Sequence, residues 1–469
     1  MNNYREIFDL DSVICAPATA ASTGAIAIIR VSGKGCVDLC SNYIFPVSNK
    51  LCLKNMLHNE MHLSIFKRDD EIVDEVMTVV FGDKNSYTGE ESLEIYCHGS
   101  QYIQKRIIEI LISAGARFAR PGEFTMRAFL NGKMDLLQAE AVADLISSKS
   151  KAAHDLAYSQ MKGGFSSHIK ELRKQLIDFA SLIELELDFS EEDVEFANRN
   201  ELIQLLNNIR TEVENIISSF SLGNVIKTGI PVAIIGKPNV GKSTLLNVLL
   251  NEERALVSDI PGTTRDSIED IINIGGITFR FIDTAGLRDS DERIENLGIE
   301  RTREKMQQAM IILFVFDISN TTTEEIKTEV ENIKQYIKDN SKQIIIIANK
   351  TDCLVEMPAG FRELVDMETI FISAKRKENI SLITERLLNS VGSRNIEDGT
   401  IISNARHFEA FTKVLEMITA IEEGINSNFP PDLISEDLKI ALYHLGSITG
   451  EITNEELLEN VFNNFCIGK

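Results

Sequence analysis

Lys242 and Ser243 close the stretch Gly236-Lys237-Pro238-Asn239-Val240-Gly241-Lys242-Ser243, in which two glycines bracket a short turn. That spacing suits one chemistry. The glycines let successive backbone amides point inward at phosphate oxygens, the lysine supplies a mobile charge for β and γ phosphates, and the hydroxyl can hold Mg2+. Asn239, Val240, Gly241, Lys242, Ser243 and Thr244 are therefore the expected phosphate contacts, with Ser243 as a magnesium ligand. The competing reading is a glycine turn in an unrelated α/β domain.

A loop of this kind needs a strand in front of it and a helix behind, so that the positive end of the helix faces the anion. The apolar run from Ile230 to Ile235 predicts the strand, and Ser243 to Leu250 predicts the helix. From about Gly223 to Asn389 strand-type and helix-type segments alternate, which predicts a doubly wound parallel sheet.

Base selection is expected from Asn349-Lys350-Thr351-Asp352, which follow the apolar run QIIIIA and so sit where parallel strands present loops to a ligand. The Asp352 carboxylate can accept from both N1-H and the 2-amino group of guanine, a donor pair that adenine lacks. Ser373, Ala374 and Lys375, after the expected strand Thr369 to Ile372, supply a loop to close over the base. Asp283, Thr284, Ala285 and Gly286 follow the run FRFI; the aspartate reaches Mg2+ through water and the glycine amide meets the γ phosphate. The segment Ser258-Asp259-Ile260-Pro261-Gly262-Thr263-Thr264-Arg265-Asp266 reads as a switch, with Thr264 as a second hydroxyl on Mg2+. Four motifs in this order predict a GTPase. An ATP-driven enzyme is disfavoured by Asp352.

After Gly286 the chain has Leu287, where many GTPases place a glutamine that orients the attacking water. Another group must do that work, and Arg288, Asp289, Asp291, Glu292 and Glu295 are all available; spacing does not choose among them. A hard monovalent cation held between Asn239 and switch carbonyls would supply positive charge where other GTPases use an arginine.

The length of 469 residues exceeds one compact core and predicts about two to four domains. Residues 1–122 mix short strand-type runs (Ala25 to Val31, Val76 to Phe81, Leu93 to Cys97) with a helix from Gln101 to Ala114, an α+β domain. Residues 123–222 are helical, with an apolar stripe at Leu172, Leu176, Phe179, Ile183 and Leu187. Residues 223–390 form the nucleotide domain, and helical periodicity returns over 391–469. The expected class is thus multidomain α/β and α+β, with a P-loop GTPase domain inserted in an all-helical domain.

Weaker signals are set aside. Gly33 and Gly35 make only a fragment of a dinucleotide fingerprint, and His58 and His62 lack metalloprotease order and read as surface or loop histidines. The acidic run from Glu184 to Phe196 lacks calcium-loop spacing. The formal net charge of −23 argues against a protein basic along its whole length, and neither supports nor excludes an RNA partner. The seven cysteines contain no CxxC pair, so neither a zinc site nor a disulfide framework is expected. With no signal-type N-terminus and only strand-length apolar runs, a cytoplasmic protein without a membrane span is expected.

The segments GAIAIIRVSG (Gly24 to Gly33), YTGEESLEIYCHG, RPGEFTMRAFLNGKMDLLQAEAVADLI, GKPNVGKSTLLN, DIPGTTRD, DTAGLRDSDERIE and the closing CIGK together resemble the MnmE (TrmE) family of tRNA modification GTPases. The resemblance covers essentially the whole chain, and the long RPGEF segment is its most specific part. It implies a potassium site at Asn239, Ser258, Ile260 and Thr263, and hydrolysis accelerated when two G domains meet. Glu295 matches the glutamate that orients the attacking water. Arg30, Glu94, Lys133 and Lys469 match positions that contact 5-formyl- or methylene-tetrahydrofolate in an N-terminal domain that also forms the homodimer. Cys466 matches a cysteine needed for the modification; a buried structural thiol is the competing reading, and prenylation is disfavoured by Gly468, Lys469 and the lack of a polybasic anchor. The family works with MnmG, a partner using FAD and NADH, to place a carboxymethylaminomethyl or aminomethyl group on C5 of the wobble uridine of certain tRNAs. A rival from another class is a regulatory switch that binds RNA or the ribosome and modifies nothing.

Overall fold

The computed structural model describes residues 9–20, 22–48, 52–188, 199–254, 270–282, 303–337, 342–354, 356, 360–391, 401–427, 429–463 and 465–468. They fall into two units, Met1–Ile146 with Tyr158–Val213 and Glu409–Lys469, and Ser147–Ala157 with Glu214–Phe408.

In the first unit, β1 (Ile14–Pro17), β2 (Ile26–Ser32), β3 (Ile44–Pro46), β4 (Met61–Arg68), β5 (Glu71–Phe81), β6 (Ser92–His98) and β7 (Arg117–Phe118) form one sheet in the order β3-β4-β5-β6-β2-β1-β7. All neighbours are antiparallel except β1 and β7. Strand alternation sorts the residues between two faces. Ala27, Ile29 and Val31 of β2 and Leu93, Ile95 and Cys97 of β6 are buried in a core shared with the helix Gln101–Ser113, which adds Ile107, Ile110 and Leu111. Each such large aliphatic contributes roughly 1.5–3 kcal/mol by burial. The other face carries Glu94, Tyr96 and His98, and the register sets these opposite Arg30, Ile28 and Ile26.

Long helices complete this unit. Leu172, Leu176, Phe179 and Ile183 of Gly164–Asp188 are buried at helical spacing, and this helix packs on Pro431–Thr449, where Leu438, Ala441, Leu445 and Ile448 are buried. The side chain of Leu187 lies outside the described residues. The RPGEF segment is tied down by ions: Glu123 is buried and accepts from Arg117 Nη2 at 2.6 Å, Arg127 Nη2 at 3.1 Å and the Arg120 amide at 2.8 Å. Burial opposes its charge, but the Arg117 hydrogen bond, the Arg120 amide and Arg127 together outweigh burial and hold the carboxyl below its usual range.

In the second unit, β8 (Ile230–Ile235), β9 (Asp270–Ile274), β10 (Ile277–Phe281), β11 (Ile311–Asp317), β12 (Gln343–Asn349) and β13 (Ile370–Phe371) form a sheet in the order β13-β12-β11-β8-β10-β9, parallel except at β9. Its central strands are apolar throughout because both faces are covered. Val232, Ile234, Leu313, Val315, Ile345 and Ile347 pack on one face with Leu245 and Leu249 of the helix Lys242–Arg254. Ile235, Ile312, Phe314, Phe316 and Ile346 pack on the other with Ile326, Val330 and Ile333 of Thr323–Tyr336. The strand order reverses beside β8, the position at which sheets of this kind bind ligands beyond the carboxyl ends of their strands.

Several bounds differ from expectation. The helix after the glycine turn starts at Lys242 and runs to Arg254, because Gly241 ends the turn and its carbonyl already accepts from the Leu245 amide at 2.9 Å. β5 starts at Glu71, not Val76, since it pairs back along β4 as a hairpin. His62 lies within β4 rather than a loop, beside Glu60. Among the described residues no helix is long and apolar enough to cross a membrane.

Candidate functional site

The turn after β8 has Gly236 at φ 150°, Asn239 at φ 61° and Gly241 at φ 97°. The two glycines are also required by space. A Cβ on Gly236 would sit 2.0 Å from the Val315 carbonyl oxygen, and one on Gly241 would sit 2.3 Å from Asn349 Nδ2. Lys242 Nζ arches back and donates to the carbonyls of Gly236 and Lys237, each at 2.8 Å. Burial and the positive charge of Lys305 pull its pKa down, and an anion in the turn would oppose both effects. Ser243 is half-buried in the first turn of the helix, and Thr244 beside it is exposed.

Asn349, at the end of β12, is buried and joins three loops. Its Nδ2 donates to the Val240 carbonyl at 2.8 Å and its Oδ1 accepts from the Ala374 amide at 3.0 Å. Asp352 lies on the same loop, where Ser373 Oγ donates to its Oδ1 at 2.7 Å and itself accepts from the Arg376 amide at 3.1 Å. The Ser373 hydrogen bond leads the effects that hold Asp352 below its usual carboxylate range. An ionised, oriented carboxylate beside an amide-lined turn can bind a purine with adjacent N-H donors whose phosphates reach Lys242. Lys375 is exposed at the loop's rim. Ser258, Asp259, Ile260, Pro261, Gly262, Thr263, Thr264, Asp283, Thr284, Ala285, Gly286 and Glu295 lie outside the described residues.

A second constellation sits on the outward face of the first unit's sheet. Arg30 donates from Nε at 3.0 Å and from Nη2 at 2.9 Å to Glu94 Oε1, while Tyr96 Oη donates to Glu94 Oε2 at 2.8 Å. The guanidinium lies 5.3 Å from the Tyr87 ring centroid and 5.7 Å from that of Phe124. Burial, followed by the bond to Glu94, pushes the Tyr96 hydroxyl up to about 12, so it stays a donor at neutral pH. Lys133 is turned aside, with Nζ donating to the Lys84 carbonyl at 2.9 Å and its stem against Gly89. Lys469 lies outside the described residues.

The chain's last described residues reach this same face. Arg30 Nη1 donates to the Gly468 carbonyl at 3.5 Å, and the Gly122 amide donates to the Cys466 carbonyl at 3.4 Å. Cys466 is exposed, so the reading of a buried structural thiol does not hold. Gly468 sits at φ 93°, and a Cβ there would lie 2.0 Å from the Pro17 carbonyl oxygen. Gly468→Ala is therefore expected to loosen the tail, speeding its trimming by a carboxypeptidase about tenfold or more while the melting temperature hardly moves. Unaltered trimming would mean that the tail is not seated by this contact.

Sequence reasoning missed Tyr96, Tyr87, Phe124 and Asp317. Tyr96 had a usable signal, since it stands two residues from Glu94 on a strand and so shares its face. Asp317 also had one, as the sole charge ending the apolar run IILFVFD.

Two family models match the chain: one described as the MnmE helical domain, over residues 136–466, and one described as the GTP-binding protein TrmE N-terminus, over residues 13–133. Relatives named tRNA modification GTPase MnmE align almost end to end. The one from Flavobacterium psychrophilum is 50% identical over 459 residues, covering 97% of this chain and 99% of the relative. That from Christiangramia forsetii is 48% identical, covering 98% and 100%, and that from Flavobacterium johnsoniae is 49% identical, covering 98% and 99%.

Proposed function

Because the chain belongs to the MnmE family of tRNA modification GTPases, we propose that it hydrolyses GTP to drive a conformational change during modification of the wobble uridine of certain tRNAs. The observation that carries the GTP reading is the convergence, at the carboxyl ends of β8, β12 and β13, of the turn Gly236–Lys242, of Asn349 and Asp352, and of Ser373–Lys375. In this reading residues 223–390 are a P-loop domain inserted between helical parts 123–222 and 391–469, and residues 1–122 bind folate. The Gly241 and Ser243 backbone holds phosphate, Lys242 neutralises it, and Asp352 selects guanine. Ser243 and Thr264 hold Mg2+. Asn239, Ser258, Ile260 and Thr263 hold K+, and Glu295 orients the attacking water.

Arg30, Glu94 and the tail suit a tetrahydrofolate. A carboxylate fixed by Arg30 and Tyr96 has lone pairs left for ring N-H groups, and the rings of Tyr87 and Phe124 keep Arg30 in place. Folate, when bound, would supply the one-carbon unit, and the seated tail that reaches Arg30 carries the exposed Cys466. The FAD- and NADH-dependent partner is MnmG. A homodimer is supported by the row of paired residues Leu63, Met77, Tyr96 and Ile28 across the outward face, where Leu63 is 46% exposed. We place the protein in the cytoplasm.

The test is the steady-state GTP hydrolysis rate in potassium and in sodium at equal ionic strength, alongside Glu295→Ala. At least about tenfold faster turnover in potassium, lost in the variant, is the expected result. Equal rates in both salts would remove the role given to Asn239 and favour a regulatory switch without modification chemistry.

A further inference from the structure

The geometry points to Asp317 as the residue that positions Lys350 for guanine recognition. This inference rests on the reading of the loop Asn349–Asp352 as the base site. Asp317 ends β11, and its carboxylate is almost wholly buried. Lys350 Nζ donates to Asp317 Oδ2 at 2.8 Å, and Asn320 Nδ2 donates to the same oxygen at 3.1 Å. Oδ1 accepts from the Ser319 amide at 3.0 Å and from Ser319 Oγ at 2.6 Å. The backbone joins the two loops as well, with the Ile318 amide donating to the Asn349 carbonyl at 3.1 Å. Burial resists the charge on Asp317, yet the bonds from Lys350, Ser319 and Asn320 outweigh it and keep the carboxyl below its ordinary range.

Such an arrangement has more than a packing consequence. Lys350 occupies the left-handed region at φ 67°, which a non-glycine residue keeps only when its surroundings hold it there. Asn349 anchors the peptide before Lys350, and Asp317 anchors the side chain from its far end. A long flexible side chain held at both ends has lost its rotamer freedom before ligand arrives. Its methylene stem is then held in one place, two residues before Asp352 in the same loop, and can form an apolar face for a purine ring whose edge Asp352 reads. Asp317 touches no ligand in this scheme; it acts through Lys350 alone.

The experiment is a double-mutant cycle on the full chain, with GDP and Mg2+ as the probe. Asp317→Asn keeps the shape and an acceptor for Ser319 while removing the charge, and it is expected to weaken GDP binding about tenfold, chiefly through faster release. In a Lys350→Met background the same substitution should change nothing, because the residue it acts through is gone. Asp317→Glu, which keeps the charge but displaces it, should show the same dependence on Lys350 and serves if the asparagine variant melts early. Unchanged GDP affinity in Asp317→Asn overturns the inference, and so does an equal loss in both backgrounds, which marks general damage to the loop. Failure of the wild-type chain to bind GDP at all would instead overturn the underlying reading of the site.

Discussion

Asp352→Asn is expected to exchange the nucleotide that the chain binds, lowering its affinity for GDP by on the order of 10^4-fold while raising that for the xanthine analogue. The reason is donor and acceptor count. Guanine presents N1-H and the 2-amino group side by side, and only a carboxylate can accept from both. An asparagine turns an NH2 group toward one of those donors and leaves two buried donors facing each other, whereas xanthine carries a carbonyl at that edge and accepts. The substitution is nearly isosteric, and Ser373 Oγ, 2.7 Å from Asp352 Oδ1, can donate equally to the amide oxygen. The fold is therefore expected to survive. Competition binding with GDP, xanthosine diphosphate and ADP reads the result directly, and retention of GDP with no gain for the xanthine nucleotide would refute the role assigned to Asp352.

Lys242→Ala is expected to slow single-turnover GTP hydrolysis by roughly 10^2 to 10^3, equivalent to about 3–4 kcal/mol of transition-state stabilisation. Its ammonium is held over the turn by two carbonyls, so in the proposed role it would meet incoming phosphate without prior rearrangement. Those carbonyl bonds add little to the fold, since the shape of the turn is set by Gly236 and Gly241, where Val315 and Asn349 leave no room for a Cβ. Melting behaviour should match the wild type while catalysis is lost. Hydrolysis at the wild-type rate would show that the charge on the phosphates is met by another cation.

The two predictions differ in how far sequence alone could carry them. The glycine turn was legible because its causes are local: a run of apolar residues, glycines that permit left-handed backbone, and a helix start all lie within a short stretch. Asp352 was legible because a motif of four residues at the end of an apolar strand has few other uses. The lysine at 350 was legible as part of that motif, but not its anchor. Asp317 and Lys350 are 33 residues apart; Asp317 ends β11, Lys350 follows directly on β12, and the parallel pairing of Asp317 with Asn349 brings the two strand ends level.

The same contrast holds on the other sheet. Alternation in β2 and β6 placed Arg30 and Glu94 on faces of their strands, and the family pattern named both, yet nothing local said that the antiparallel register sets them opposite each other. Nor could it say that the chain's end returns to them. Arg30 and Gly468 meet across a separation of 438 residues, and the glycine is required there by the nearby Pro17 carbonyl, not by any turn signal around it. Most elements, the glycine turn and the loop proposed to read the base were set by local sequence, because period, capping and backbone freedom are properties of neighbouring residues. Tertiary structure alone decided that Asp317 holds Lys350, that Tyr96 holds Glu94 and that the tail closes on Arg30, because strand register and close packing act between residues that the chain keeps far apart.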